Sequence, residues 1–156
     1  MPVKARREAR RLALDVLFEA EIRDWLPLDA FRAREADGWV ISSEGASEKE
    51  GDSEEEAASP EALRYAEELV TGVQTHQADI DTLIAGYADR WAIRRMPIVD
   101  RTVLRMALFE LLWRDDIPVP VAINEAVELV KELSIDDSGR FVNGLLGRIV
   151  ESRQAN

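Results

Sequence analysis

Met96-Pro97-Ile98-Val99-Asp100-Arg101-Thr102-Val103-Leu104-Arg105-Met106-Ala107-Leu108-Phe109-Glu110-Leu111-Leu112 decides the fold class. Proline is favoured in the first turn of a helix, where its missing N–H costs nothing, so Pro97 opens one. Val99, Val103, Leu104, Ala107, Leu108, Leu111 and Leu112 then recur at spacings of three and four, which puts them on one broad apolar face. Downstream, Asp116-Ile117-Pro118-Val119-Pro120 reads as a rigid connector. Val121 to Leu133 is a helix, and Arg140 to about Glu151 is the last one.

The same periodicity extends toward the N-terminus. Residues 4 to 24 place Ala9, Leu12, Ala13, Val16, Leu17 and Ala20 on one face. Pro27 ends that helix, and a short one follows over residues 28 to 36 with Leu28 and Phe31. Ser59-Pro60 is a hydroxyl cap followed by proline, and starts a helix that runs through Leu63, Ala66, Leu69, Val70 and Val73. A break is expected at His76-Gln77, with a separate helix on Ile80, Leu83, Ile84 and Tyr87. No strand alternation is sustained, and alanine plus leucine supply 36 residues. The expected class is all-α: about seven helices in two packed helical bundles.

Residues 38 to 59 differ in kind. Between Glu44 and Glu56 there are seven acids and one lysine, with Ala46 the only apolar residue. Such a stretch buries too little surface to offset its ordering entropy, so a flexible acidic loop is expected. It is either a solvated linker or a charged segment that folds back on the basic N-terminus.

At 156 residues and 46% hydrophobic, the chain is expected to form one domain with a real core. It has no cysteine, which removes disulfides, thiolate metal sites and cysteine nucleophiles. No apolar run approaches the roughly 20 residues of a membrane span, and no secretory core follows the N-terminus. A cytoplasmic protein is expected.

The catalytic inventory is thin. His76 is the only histidine, and is read either as a base or as an exposed or capping residue. Asp136-Asp137 is half of a carboxylate metal site or, with Ser138, a set of helix-start partners. No phosphate-cradling glycine loop is present. Gly139, Gly144 and Gly147 lie in or beside a helix, where glycine more often permits close packing. No enzyme activity, cofactor or metal is expected.

Twenty lysines and arginines against 31 acids give −11, which argues against nucleic acid. The charge is segregated, however. The first eleven residues carry Lys4, Arg6, Arg7, Arg10 and Arg11 against Glu8, a net of +4. Residues 44 to 56 carry −6, which leaves −9 on the remainder. At helical spacing Arg6, Arg7, Arg10 and Arg11 share one face, expected to lie away from the core. The stripe continues as Leu14 and Phe18. Arginines in line with an aromatic ring suit single-stranded RNA, with guanidinium on phosphate and ring on base. The alternative is that Leu14 and Phe18 are buried and the arginines solvated. A second basic set, Arg90, Arg94, Arg95, Arg101 and Arg105, is either a positive rim or a set of local ion pairs.

Ala5-Arg6-Arg7, Arg10, Ala13 and Leu17-Phe18 resemble the arginine-rich start of NusB transcription antitermination factors. A more specific likeness is Ala122-Ile123-Asn124-Glu125-Ala126-Val127-Glu128-Leu129-Val130-Lys131 with Asp137-Ser138-Gly139-Arg140-Phe141-Val142-Asn143-Gly144-Leu145-Leu146. Val99-Asp100-Arg101 and Val103 to Leu111 follow the family pattern as well. The resemblance covers about residues 3 to 24 and 62 to 150, and leaves out the acidic loop.

It implies two packed three-helix-type bundles and a binding role without catalysis. The family binds the boxA element of ribosomal RNA leader transcripts together with NusE, a small-subunit ribosomal protein. The complex helps RNA polymerase read through terminators. Carried onto this sequence, Arg6, Arg7, Arg10 and Phe18 match RNA-contacting positions. Phe18 stands where the family often has tyrosine, so a stacking face is kept and a hydroxyl lost. Arg140, Phe141 and Asn143 match a second RNA-facing segment. Asp137 lies where the protein partnership is tuned, and Asp100 and Arg105 match the NusE side. Glu8 interrupts a run that is often more basic.

Two other readings stand beside this one. A similar helical module precedes some ribosomal RNA cytosine methyltransferases, where a large catalytic domain follows; this chain ends at Asn156, so it would be a relic binding module. The other is a helical protein-interaction module with no RNA role. A homodimer is an open alternative in each case.

Overall fold

The computed structural model describes residues 2–39, 58–88 and 92–154. Within them the chain forms six α-helices and one single-turn 3₁₀ helix, with no strand. The helices are α1 (Val3–Arg23), α2 (Pro27–Ala36), α3 (Pro60–Tyr87), α4 (Ile98–Trp113), α5 (Val119–Leu133) and α6 (Ser138–Gln154); Ile93–Arg95 is the 3₁₀ turn.

Local chemistry sets the boundaries. α1 stops at Asp24, which adopts the left-handed conformation (φ 55°) and returns its N–H to the carbonyls of Ala20 and Glu21. Pro27 then occupies the first turn of α2. Ser59 caps α3, its Oγ accepting the Ala62 N–H at 3.2 Å, with Pro60 next. Pro97 precedes α4 and Pro118 precedes α5.

The expected break at His76-Gln77 is absent, and α3 runs unbroken for 28 residues. Neither residue breaks a helix, and the apolar face continues from Leu69, Val70 and Val73 to Ile80 and Ile84, all buried. Two expected helices are therefore one. Gly72 lets the ring of Phe109 lie on the α3 backbone; a Cβ there would fall 2.2 Å from Phe109 Cε2.

α1, α2 and α3 pack together, and so do α4, α5 and α6. The two bundles join where α4 lies against α1 and α3. The shared core is made by Leu12, Val16, Tyr65, Leu69, Leu104, Leu108, Val130 and Leu146, with Phe31 closing the α2 side. Burial of this apolar surface is the main force holding the bundles together. Trp39, also with positive φ (57°), sets its ring edge-on to Phe31 at 4.8 Å. The expected acidic loop at 38 to 59 lies, from residue 40 to 57, outside the described residues, as do Asp89, Arg90 and Trp91.

Candidate nucleic-acid interface

The basic tip forms the first turns of α1. Leu12, Ala13, Val16 and Leu17 hold the helix on the core, which leaves Arg7 and Arg11 exposed and Arg6 half-buried. Each of these meets an acid from the other bundle. Arg6 Nη2 donates to Asp116 Oδ2 at 3.2 Å, and Arg7 Nε to Glu125 Oε1 at 3.0 Å. Arg11 pairs with Glu132. Arg6 also lies over the Tyr65 ring at 5.8 Å, and Arg114 lies over the same ring at 5.1 Å.

Arg10 is the correction. It was expected on the exposed face with Arg6 and Arg7, yet it is only 3% exposed. Its guanidinium makes a bidentate pair with Glu110, Nε to Oε1 at 2.9 Å and Nη2 to Oε2 at 2.8 Å. The Tyr65 hydroxyl donates to the same carboxylate. Burial alone pulls the Arg10 pKa down, but the hydrogen bond and charge of Glu110 outweigh it and the pKa is raised. Burial and the negative charge of Glu110 push the Tyr65 phenol up from its ordinary value, so it stays protonated and donating. A guanidinium held in this way points inward and offers nothing to a ligand.

Further along α1, Leu14 is buried and Phe18 is 38% exposed, so the stripe keeps one open aromatic ring. Ile22 and Trp25 are also exposed.

The second expected segment opens α6. Arg140 and Asn143 are exposed and Phe141 is half-buried against the core. Asp137, Arg140 and Phe141 line one pocket of about 330 Å³ together with Asp100, Ile135 and Ser138. The structure thus brings together three residues that the sequence placed in one segment, and adds Asp100 to them.

Asp100 and Arg105 were expected on a protein-facing surface, and are instead buried in internal bonds. Asp100 accepts from Ser134 Oγ at 2.5 Å and Ser138 Oγ at 2.7 Å, which ties α4 to the α5–α6 connector. Arg105 pairs bidentately with Asp81, at 2.8 and 3.0 Å, and reaches Glu21 at 3.0 Å. Burial opposes its charge, but Asp81 and Glu21 raise its pKa overall. Arg101 also pairs with Glu21, so two of the second basic set are local ion pairs. Arg94 and Arg95 are exposed.

His76 neither caps a helix nor stands free. It is half-buried in α3 with its ring stacked on Trp113 at 3.9 Å. Among the described residues, no group of three His, Cys, Asp or Glu side chains is placed to hold a metal ion. No described helix is long and apolar enough to cross a membrane.

Sequence reasoning missed Glu125 and Glu132 as partners of the arginine row. They stand seven apart, two turns on one face of α5, and that spacing was the available signal. It missed the buried acceptor Glu110 because a carboxylate within an apolar helix reads as a surface residue until its partner is known.

These features define a class: an all-helical protein of two three-helix bundles, with an arginine row on its first helix and an aromatic segment at the start of its last. The chain belongs to the NusB family, whose model matches residues 7–151. It is 47% identical over 147 residues to the transcription antitermination protein NusB of Salinispora arenicola, covering 94% of this chain and 96% of that one. It is 46% identical over 148 residues to the Saccharopolyspora erythraea protein of the same name, covering 93% and 86%. Among solved structures, Thermotoga maritima NusB matches with a TM-score of 0.75 at 33% identity, over 97% of this chain and 92% of that chain. A crystal structure of antitermination factors NusB and NusE in complex with double-stranded RNA matches at a TM-score of 0.73 and 26% identity, over 97% and 99%.

Proposed function

We propose that this chain is a transcription antitermination factor. It binds boxA-type RNA of ribosomal RNA leader transcripts together with NusE, and helps RNA polymerase read through terminators. It does so as a single cytoplasmic domain, by binding and not by catalysis. The observation that carries the reading is the arginine face at the start of α1, with Arg7 exposed and Arg6 half-buried, in line with the exposed ring of Phe18. Guanidiniums of this kind hold phosphates, and the ring offers a base a stacking face. The family membership supports it, and so does the fold shared with a NusB crystallised with NusE and RNA.

In this reading Arg6, Arg7, Phe18, Arg140, Phe141 and Asn143 meet RNA, and Asp137 lies at the boundary with the protein partner. Arg10, Asp100 and Arg105 act from inside: they position α1, the α5–α6 connector and α4. The net charge of −11 keeps non-specific RNA binding weak, so a basic partner is needed to hold the RNA. The test is to mix this chain, NusE and a boxA RNA and to resolve the mixture by size. A single species containing all three supports the reading. Separate elution of the RNA, at concentrations where the two proteins associate, overturns it.

A further inference from the structure

The three outer arginines of α1 already hold carboxylates; the Arg11–Glu132 pair is open to water on both sides, and the Arg7–Glu125 pair on the arginine side. Side-chain exposure is 63% for Arg7 but 12% for its partner Glu125, against 49% for Arg11 and 56% for Glu132. The Arg10–Glu110 pair, at 4% and 2%, is the opposite case and is locked. Exposed pairs are worth about 0–1 kcal/mol, so they exchange readily with another anion.

We propose that Glu125 and Glu132 are resident counter-anions, occupying on Arg7 and Arg11 the positions that RNA phosphates take, and that Arg11 is a phosphate-binding residue of this face. The inference rests on the RNA-binding reading above and deepens it. Arg7 and Arg11 stand one turn apart on α1, about 6 Å along the axis, and both face α5. Each meets one acid of the Glu125/Glu132 pair, which lies on a single face of that helix. The carboxylate oxygens therefore mark where an anionic oxygen sits on each guanidinium. Glu132 is exposed, so its pair with Arg11 gives it no burial that a phosphate would lack.

The consequence is a brake on RNA binding. A phosphate arriving at Arg7 or Arg11 displaces a carboxylate. The RNA releases a condensed cation, and the freed carboxylate gathers one back. Net counterion release, which drives association, is smaller than the number of contacts suggests. The acids thus suppress RNA binding while leaving the row of guanidiniums aligned for it.

The experiment compares the parent chain with the double variant Glu125→Gln and Glu132→Gln, which keeps side-chain volume. Two probes are used: a single-stranded RNA with NusE present, and inorganic polyphosphate alone. The variant should bind both about fivefold more tightly, the sum of the open Arg11 pair and the half-open Arg7 pair. Its salt dependence should steepen by about one unit of slope. Arg11→Ala should weaken both probes. Glu132→Gln alone, at the more exposed pair, should give a rise of about twofold and guards against misfolding of the double variant. Unchanged polyphosphate affinity in a variant with parental helical content overturns the proposal. A polyphosphate gain with no RNA binding by either protein leaves the counter-anion role standing, and counts against the RNA reading instead.

Discussion

Arg10 of α1 and Glu110 of α4 face each other in the interior through two hydrogen bonds, at 2.9 and 2.8 Å, across 100 residues of sequence. The pair clamps one bundle to the other, and Tyr65 of α3 completes it. Its charges cancel, and both guanidinium nitrogens that meet the carboxylate are satisfied. Loss of one partner would leave the other charged, buried and without its counter-ion.

Arg10→Ala is accordingly expected to destabilise the fold by about 3 kcal/mol or more, read from urea unfolding. A joint replacement of Arg10 and Glu110 by apolar residues of similar volume should cost much less than the single change. If Arg10→Ala unfolds at the parental urea midpoint, the clamp contributes nothing.

Phe18 is open enough that its loss should fall on binding rather than on stability. Phe18→Ala should weaken RNA affinity by about 1–3 kcal/mol, the range for one stacked base. Phe18→Tyr keeps the ring and should bind within a few-fold of the parent. Equal losses for both variants in a fluorescence titration would mean that the ring does not stack.

Gly72 is held free of a side chain by the ring of Phe109. Gly72→Ala should cost about 1–3 kcal/mol by overpacking, although alanine is the better helix former. A melting temperature equal to or above the parent's would show that α4 yields without strain.

Asp116 lies under Arg114, which donates to both its carboxylate oxygens at 3.1 and 3.2 Å, and it also meets Arg6. The hydrogen bond from Arg114 holds its pKa below the ordinary 3.8. A depressed carboxylate stabilises the fold above its unfolded-state value and loses that contribution as pH falls through the folded one. The exposed site limits the effect to roughly 0.5 kcal/mol. Asp116→Asn should therefore be slightly less stable than the parent at pH 7, with the gap closing as pH falls below the ordinary 3.8. A gap that is constant from pH 7 to pH 2 would rule out this linkage.

Much of the fold is legible in the sequence, because helix starts and apolar spacing are local. Ser59-Pro60 and Pro97 each stand where a helix begins, whereas α5 starts at Val119, inside the stretch read as a connector. The boundary placed at His76 failed for a physical reason. The residues there are polar without being breakers, and the apolar row on either side is in phase. The inward turn of Arg10 was half legible. Arg10 is one turn before Leu14, and both are 3% exposed, so they share a face. What spacing lacked was the acceptor, since Glu110 becomes a partner only when α4 crosses α1. The same holds for Arg105, whose partners Asp81 and Glu21 come from two other helices. Arg7 stands exposed as its spacing suggested, while Phe18, whose spacing left burial open, and Arg140 and Asn143, named only through the family resemblance, are exposed as well.

The central claim is that α1 holds RNA through its outer arginines when NusE is present. The most direct measurement is the affinity of the chain with NusE for a boxA RNA and for a scrambled RNA, between about 50 and 200 mM salt, repeated with Arg7→Ala. The account expects a steep fall with salt, tighter binding of the boxA sequence throughout, and a slope shallower by about one unit for Arg7→Ala. A flat salt dependence, equal affinity for the two RNAs, or an Arg7→Ala slope equal to the parent's would contradict it.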